Sequence, residues 1–142
     1  MSVSLLSSLP LALLLAAALA TPLAAAPDLA AYRWKARLLV VIAPDPGDPR
    51  LGEQRRIAEA DHQGFAERDL TVLEAVGADA VALRRRFGVP PEAFRAILVG
   101  KDGAAKLVSD RPLGPDRLFR EIDAMPMRQD EMRRNEPKGR RS

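Results

Sequence analysis

Asp45 and Asp48 stand three residues apart in the stretch VVIAPDPGDPRL, Val40 to Leu51. Two carboxylates at that spacing can share acid–base work or hold a hard cation through oxygen. Each also has a structural use that competes with chemistry. Asp48 directly precedes Pro49, the pattern of a helix N-cap followed by proline at the first helical position. Asp45 belongs to a turn bounded by prolines. The structural uses are favoured, because no Asp-rich calcium loop surrounds the pair.

Other reactive groups are sparse. With no cysteine in 142 residues, the chain offers no thiolate for disulfide exchange or peroxide reduction. Outside the first 26 residues the serines are Ser109 and Ser142, and His62 is the single histidine. His62 is expected near a helix C-terminus, where an imidazole suits the dipole, and Asp61 with His62 is not a ligand pair on one helix face. The expectation is therefore no catalytic residue, no metal ligand and no cofactor.

Binding residues are easier to nominate. Tyr32 and Trp34 would lie where the chain enters the sheet and are the best aromatic candidates for a contact surface. Arg68 next to Asp69 suggests a local ion pair. Lys101, Asp102 and Lys106 read as exposed hairpin residues, and Arg84 to Arg86 as cations on an exposed helix end. Met127 and Arg128 follow the last helix of the pattern, in DAMPMRQDEMRR, where a further short helix would turn Met127 toward the domain and Arg128 to Arg134 toward water. Undocked, its methionines would give a partner an adaptable surface.

The elements that must position these residues are legible from periodicity. RLLVVIA, Arg37 to Ala43, is almost continuously apolar, as a strand covered on both faces must be. A helix follows from Pro49, with a stripe of Leu51, Ile57, Ala58 and Phe65 and a stop at Gly64. Leu70 to Val76 reads as a second strand. Ala80, Leu83 and Phe87 mark a short helix ended by Gly88. FRAILVGKDGAAKLVS reads as a hairpin turning at Lys101, Asp102 and Gly103. Pro115 opens a last helix carrying Leu118, Ile122 and Met125, which Pro126 closes. The order is β-α-β-α-β-β-α: an α/β/α sandwich on a four-stranded mixed sheet, its first two strands parallel through a crossover.

Charge lies unevenly along the chain. Asp28 to Met125 holds 16 Lys/Arg and 16 Asp/Glu, whereas Pro126 to Ser142 holds 6 against 3. A basic tail without an aromatic stacking platform argues against nucleic acid. Contact of that tail with anionic lipid is the weaker alternative.

Residues 1–26 contain no charge, and LALLLAAALAT between Pro10 and Pro22 is too short and too interrupted for a membrane span of about 20 residues. It reads as a signal segment cleaved between Ala20 and Ala26, although no basic residue precedes it. An N-terminal anchor is the alternative. Arginine outnumbers lysine 18 to 4, which suggests a GC-rich bacterial genome and a periplasmic or secreted destination. The expected division is a signal peptide over 1–26, a domain over 27–125, and a basic, partly disordered extension over 126–142.

Four segments carry a resemblance: YRWKARLLVVIAP, ERDL, LVGKDGAAKL and IDAMPMRQDEM. Together they resemble the bacterial domain of unknown function family 4174, related to a domain of vertebrate sushi-repeat extracellular matrix proteins. The resemblance spans roughly Tyr32 to Arg133. It implies a thioredoxin-like fold without a required redox pair and an extracytoplasmic setting, and it supplies no reaction. In that fold a CxxC motif would sit where Asp45 and Asp48 stand. The expectation is an exported non-redox module that binds a protein or another envelope component. Its rival is a cysteine-independent enzyme using the Asp45/Asp48 loop.

Overall fold

The computed structural model describes residues 27–137. The segment expected to be a cleaved signal, residues 1–26, and the last five residues of the basic tail lie outside the described residues. The sheet is built from β1 (Arg37–Ala43), β2 (Leu70–Val76), β3 (Arg95–Val99) and β4 (Ala105–Ser109) in the order β2-β1-β3-β4. β1 and β2 run parallel with Arg37 opposite Leu70, while β3 is antiparallel to β1 and to β4. α1 (Pro49–Ala60) and α2 (His62–Glu67) fill the first crossover, α3 (Val81–Phe87) the second connection, and α4 (Pro115–Asp123) and α5 (Pro126–Asn135) follow the hairpin.

Every residue of β1 is buried. Its side chains alternate between two cores, as a strand's pleat requires. Leu39, Val41 and Ala43 pack with Leu51, Phe65, Leu113, Leu118 and Ile122 on the face covered by α1, α2 and α4. Leu38, Val40 and Ile42 pack with Leu29, Ala80, Leu83 and Val89 on the opposite face. That is the three-layer sandwich expected from the sequence. The hairpin turns through Gly103 at φ 83°, a conformation that costs glycine nothing.

Several local expectations need correction. Gly64 does not end a helix. The break falls at Asp61 (φ −114°, ψ 29°), and Gly64 lies inside α2, where an added Cβ would come within 2.7 Å of the Phe119 ring. Its lack of a side chain serves interhelical packing. The helix before Pro126 does end, at Asp123, and Pro126 opens the further short helix expected after it, α5. The packed unit therefore continues past Met125, into the segment set apart as an extension. Arg84 is not an exposed cation: it is buried and donates to the Pro90 and Ala93 carbonyls at 2.5 and 2.8 Å, tying down the loop after α3.

Candidate functional site

The amino-terminal end of β1 carries a charge cluster that local reading did not assemble. Arg37 opens the strand on the same face as Leu39 and Val41, and its side chain is 1% exposed. Its Nη1 donates to the Arg68 carbonyl at 2.9 Å, and its two terminal nitrogens each donate to Glu131 of α5 at 3.2 Å. Lys101 Nζ donates to the same Glu131 carboxylate at 2.7 Å and to Asp69 at 2.8 Å. A second group adjoins the first. Arg68 grips both oxygens of Asp123 at 3.0 and 2.8 Å and lies 4.0 Å over the Phe119 ring. Arg128 reaches Asp123 at 3.2 Å and the Glu67 carbonyl at 2.9 Å.

Burial penalises the charge on Glu131 and Asp123. For Glu131, hydrogen bonds from Lys101 and Arg37 outweigh that penalty, and for Asp123 those from Arg68 and Arg128 do so. Both carboxyls are held below their usual range. Arg37 is the deeply buried member: without Glu131 its charge would lose its counter-ion at a cost of about 3–5 kcal/mol. Asp123, 34% exposed, is partly screened by solvent, and its pairs contribute less.

Two backbone outliers flank this cluster. Asp69 sits at φ 48° and Trp34 at φ 64°. An aspartate tolerates the left-handed region; a bulky tryptophan does not. Trp34 is held there by its N–H donating to the Lys101 carbonyl at 2.7 Å, with the N–H groups of Lys35 and Ala36 both donating to the Tyr32 carbonyl. The result projects an indole that is 63% exposed.

Between Trp34 and the junction of α4 and α5 lies a cavity of about 490 Å³. Trp34, Met125 and Met127 supply apolar wall; Arg37, Lys101 and Lys106 supply cations, Lys106 being paired with Asp102 at 2.8 Å, and Asp102 and Glu121 add carboxylates at the wall. Of the residues nominated for binding, Trp34, Lys101 and Met127 meet in this cavity. Arg68 and Arg128 stand in the ion network beside it. Tyr32 does not join them, since it packs with the core on the opposite face of the sheet.

Partners expected from adjacency were wrong. Arg68 pairs with Asp123 rather than Asp69, which pairs with Lys101. Lys101 is buried instead of exposed. Arg128 faces inward because Asp123 and the Glu67 carbonyl offer it acceptors, while Met127 is 39% exposed. Arg37, Asp123 and Glu131 were missed. The one signal available was an arginine heading a continuously apolar strand.

Asp45 and Asp48 lie at the other end of β1. Asp48 Oδ1 accepts the Arg50 N–H at 2.9 Å, capping α1, and the same carboxylate holds the Arg50 guanidinium at 2.9 and 2.6 Å. The side-chain bond from Arg50 keeps its carboxyl below the usual range. Asp45 Oδ1 accepts the Gly47 N–H at 2.9 Å within its own turn. His62 sits at the junction of α1 and α2, its Nδ1 3.3 Å from the Glu59 carbonyl. Among the described residues, no three of His, Cys, Asp and Glu gather where they could hold a metal.

A family model described as "Domain of unknown function (DUF4174)" matches residues 28–131, a span that ends on Glu131. The chain belongs to this family. Among solved structures, this DUF4174 domain is similar to Plasmodium yoelii thioredoxin peroxidase I, with a TM-score of 0.57 and 15% identity over 80% of this chain and 85% of that one. Likeness at that identity speaks for the fold alone. The fold is thioredoxin-like, and the DUF4174 chain carries it with no cysteine.

Proposed function

We propose that this domain is a non-redox binding module whose ligand surface is the cavity between Trp34 and Met127. The observation that carries the reading is Trp34 itself: a bulky residue in a left-handed conformation, its indole exposed beside two methionines. Such backbone strain costs about 1–3 kcal/mol and persists where surrounding contacts over-determine it, often at ligand sites. Tryptophan and methionine are also the side chains best suited to an apolar contact that must fit more than one shape.

The uncharged N-terminal segment supports export, which makes the partner a protein or another component of the bacterial envelope. An enzyme built on Asp45 and Asp48 finds less support, since each carboxylate is committed to a local backbone or ion-pair task.

Capture from envelope extracts with matched variants tests the proposal. Material retained by the parent should be lost with Trp34→Ala and with Met127→Asp, and kept with Asp45→Ala. Retention by both cavity variants together with loss on Asp45→Ala would place function in the loop instead.

A further inference from the structure

The Glu131 carboxylate is held by three cations. Its two oxygens face both terminal nitrogens of Arg37 at 3.2 Å, Lys101 Nζ at 2.7 Å, and Arg128 Nη1 at 3.7 Å. A forked guanidinium beside an ammonium recognises a carboxylate whichever molecule carries it. We propose that Arg37 and Lys101 form a carboxylate-binding site filled in cis by Glu131, and that the ligand of the Trp34/Met127 cavity is an amphiphilic carboxylate whose acid group takes its place. This rests on the cavity being the ligand surface, as proposed above.

Three observations support the exchange. First, α5 delivers Glu131 without burying any residue of its own, so no apolar anchor opposes the side chain's withdrawal. An incoming carboxylate replaces one anion with another, and Arg37 is never left buried without a counter-charge. Second, Arg37 and Lys101 themselves line the cavity, so a body resting on Trp34, Met125 and Met127 brings its head to them. The volume, about 490 Å³, suits a small ligand. Third, the present occupant leaves Arg37 incompletely bonded: its Nε is buried and has no acceptor. Buried donors are rarely left so. A carboxylate approaching the guanidinium side-on, through Nε and Nη2, would satisfy it while Nη1 keeps the Arg68 carbonyl.

The test is an NMR titration at neutral pH that follows the Trp34 indole and the Glu131 side-chain carboxyl carbon. The probes are octanoate, a capped dipeptide acid with an apolar C-terminal residue, and 1-octanol. A carboxylate probe should move both signals, and octanol should move Trp34 alone. Response to octanoate but not the peptide acid identifies an acyl chain, and the reverse a peptide C-terminus. Glu131→Gln should bind the effective acid about tenfold more tightly, the scale of one charge-assisted hydrogen bond. Movement of Trp34 with Glu131 unmoved would overturn the exchange while leaving the cavity as a ligand surface. Silence at Trp34 toward all three probes would overturn the exchange and count against the cavity too. Because the unmodified protein carries the decisive signal, a variant that failed to fold would not rescue the proposal.

Discussion

Arg37 and Glu131 lie 94 positions apart in the chain and meet in a two-bonded ion pair at the amino-terminal end of β1. The pair joins the central strand to the last helix, which buries no residue of its own. Docking of α5 therefore depends on charge and hydrogen bonding more than on apolar burial.

Truncation on either side of Glu131 should separate the two parts of the tail. A chain ending at Met132 keeps the carboxylate and should unfold close to the parent temperature. Ending it at Asp130 leaves Arg37 and Lys101 without their shared partner, an expected loss of about 3 kcal/mol or more. Thermal unfolding resolves the difference, since ~1 kcal/mol moves the midpoint of a domain this size by several degrees.

Acid should expose the same dependence. Glu131 and Asp123 titrate lower in the folded chain than unfolded, because their hydrogen bonds to Arg and Lys outweigh the burial that opposes their charge. Their contribution to stability is complete above the ordinary carboxylate range and is lost as pH falls through the folded values. Glu131→Gln should thus lower stability at neutral pH and flatten the acid limb of a stability–pH curve. An unchanged limb would mean that Glu131 titrates alike in both states.

At the far end of β1, Asp48→Ala should cost ~1 kcal/mol through loss of the cap, and Asp48→Asn should recover most of it. The ion pair with Arg50 adds little, because that arginine is 43% exposed. Asp45→Ala, which removes one bond in an exposed turn, should cost less. Chemical denaturation of the three variants orders them.

Gly64→Ala pits two effects against each other. Helix propensity favours alanine by ~1 kcal/mol. The new Cβ, however, would approach the Phe119 ring to 2.7 Å, and that ring is fixed against Phe65 and under Arg68. Overpacking of this kind costs about 1–3 kcal/mol, so net destabilisation is expected. In a Phe119→Leu background the same substitution should be milder.

How much of this was legible follows from the range of each signal. The bounds of β1 and β2, the Asp48 cap and the Gly103 turn are written in neighbouring residues, and they stand where the sequence places them. Gly64 misled because glycine ends helices and also admits a close neighbour, and Phe119 lies 55 positions away. The site was half visible. Trp34, Lys101 and Met127 could be nominated as residue types, but no local pattern pairs Lys101 with Glu131, 30 positions on, or Arg37 with Glu131. Long-range ion pairs carry no periodicity, and a glutamate within a basic tail reads as solvated charge until the fold turns it inward.

The chain has a single tryptophan, and it stands at the cavity. Protein labelled with 5-fluorotryptophan therefore gives one fluorine resonance that reports the proposed ligand surface. In concentrated envelope extract that resonance should shift or broaden, and Met127→Asp should abolish the change. A resonance that stays fixed under conditions where the protein demonstrably captures a ligand would contradict the assignment of the cavity as the binding surface.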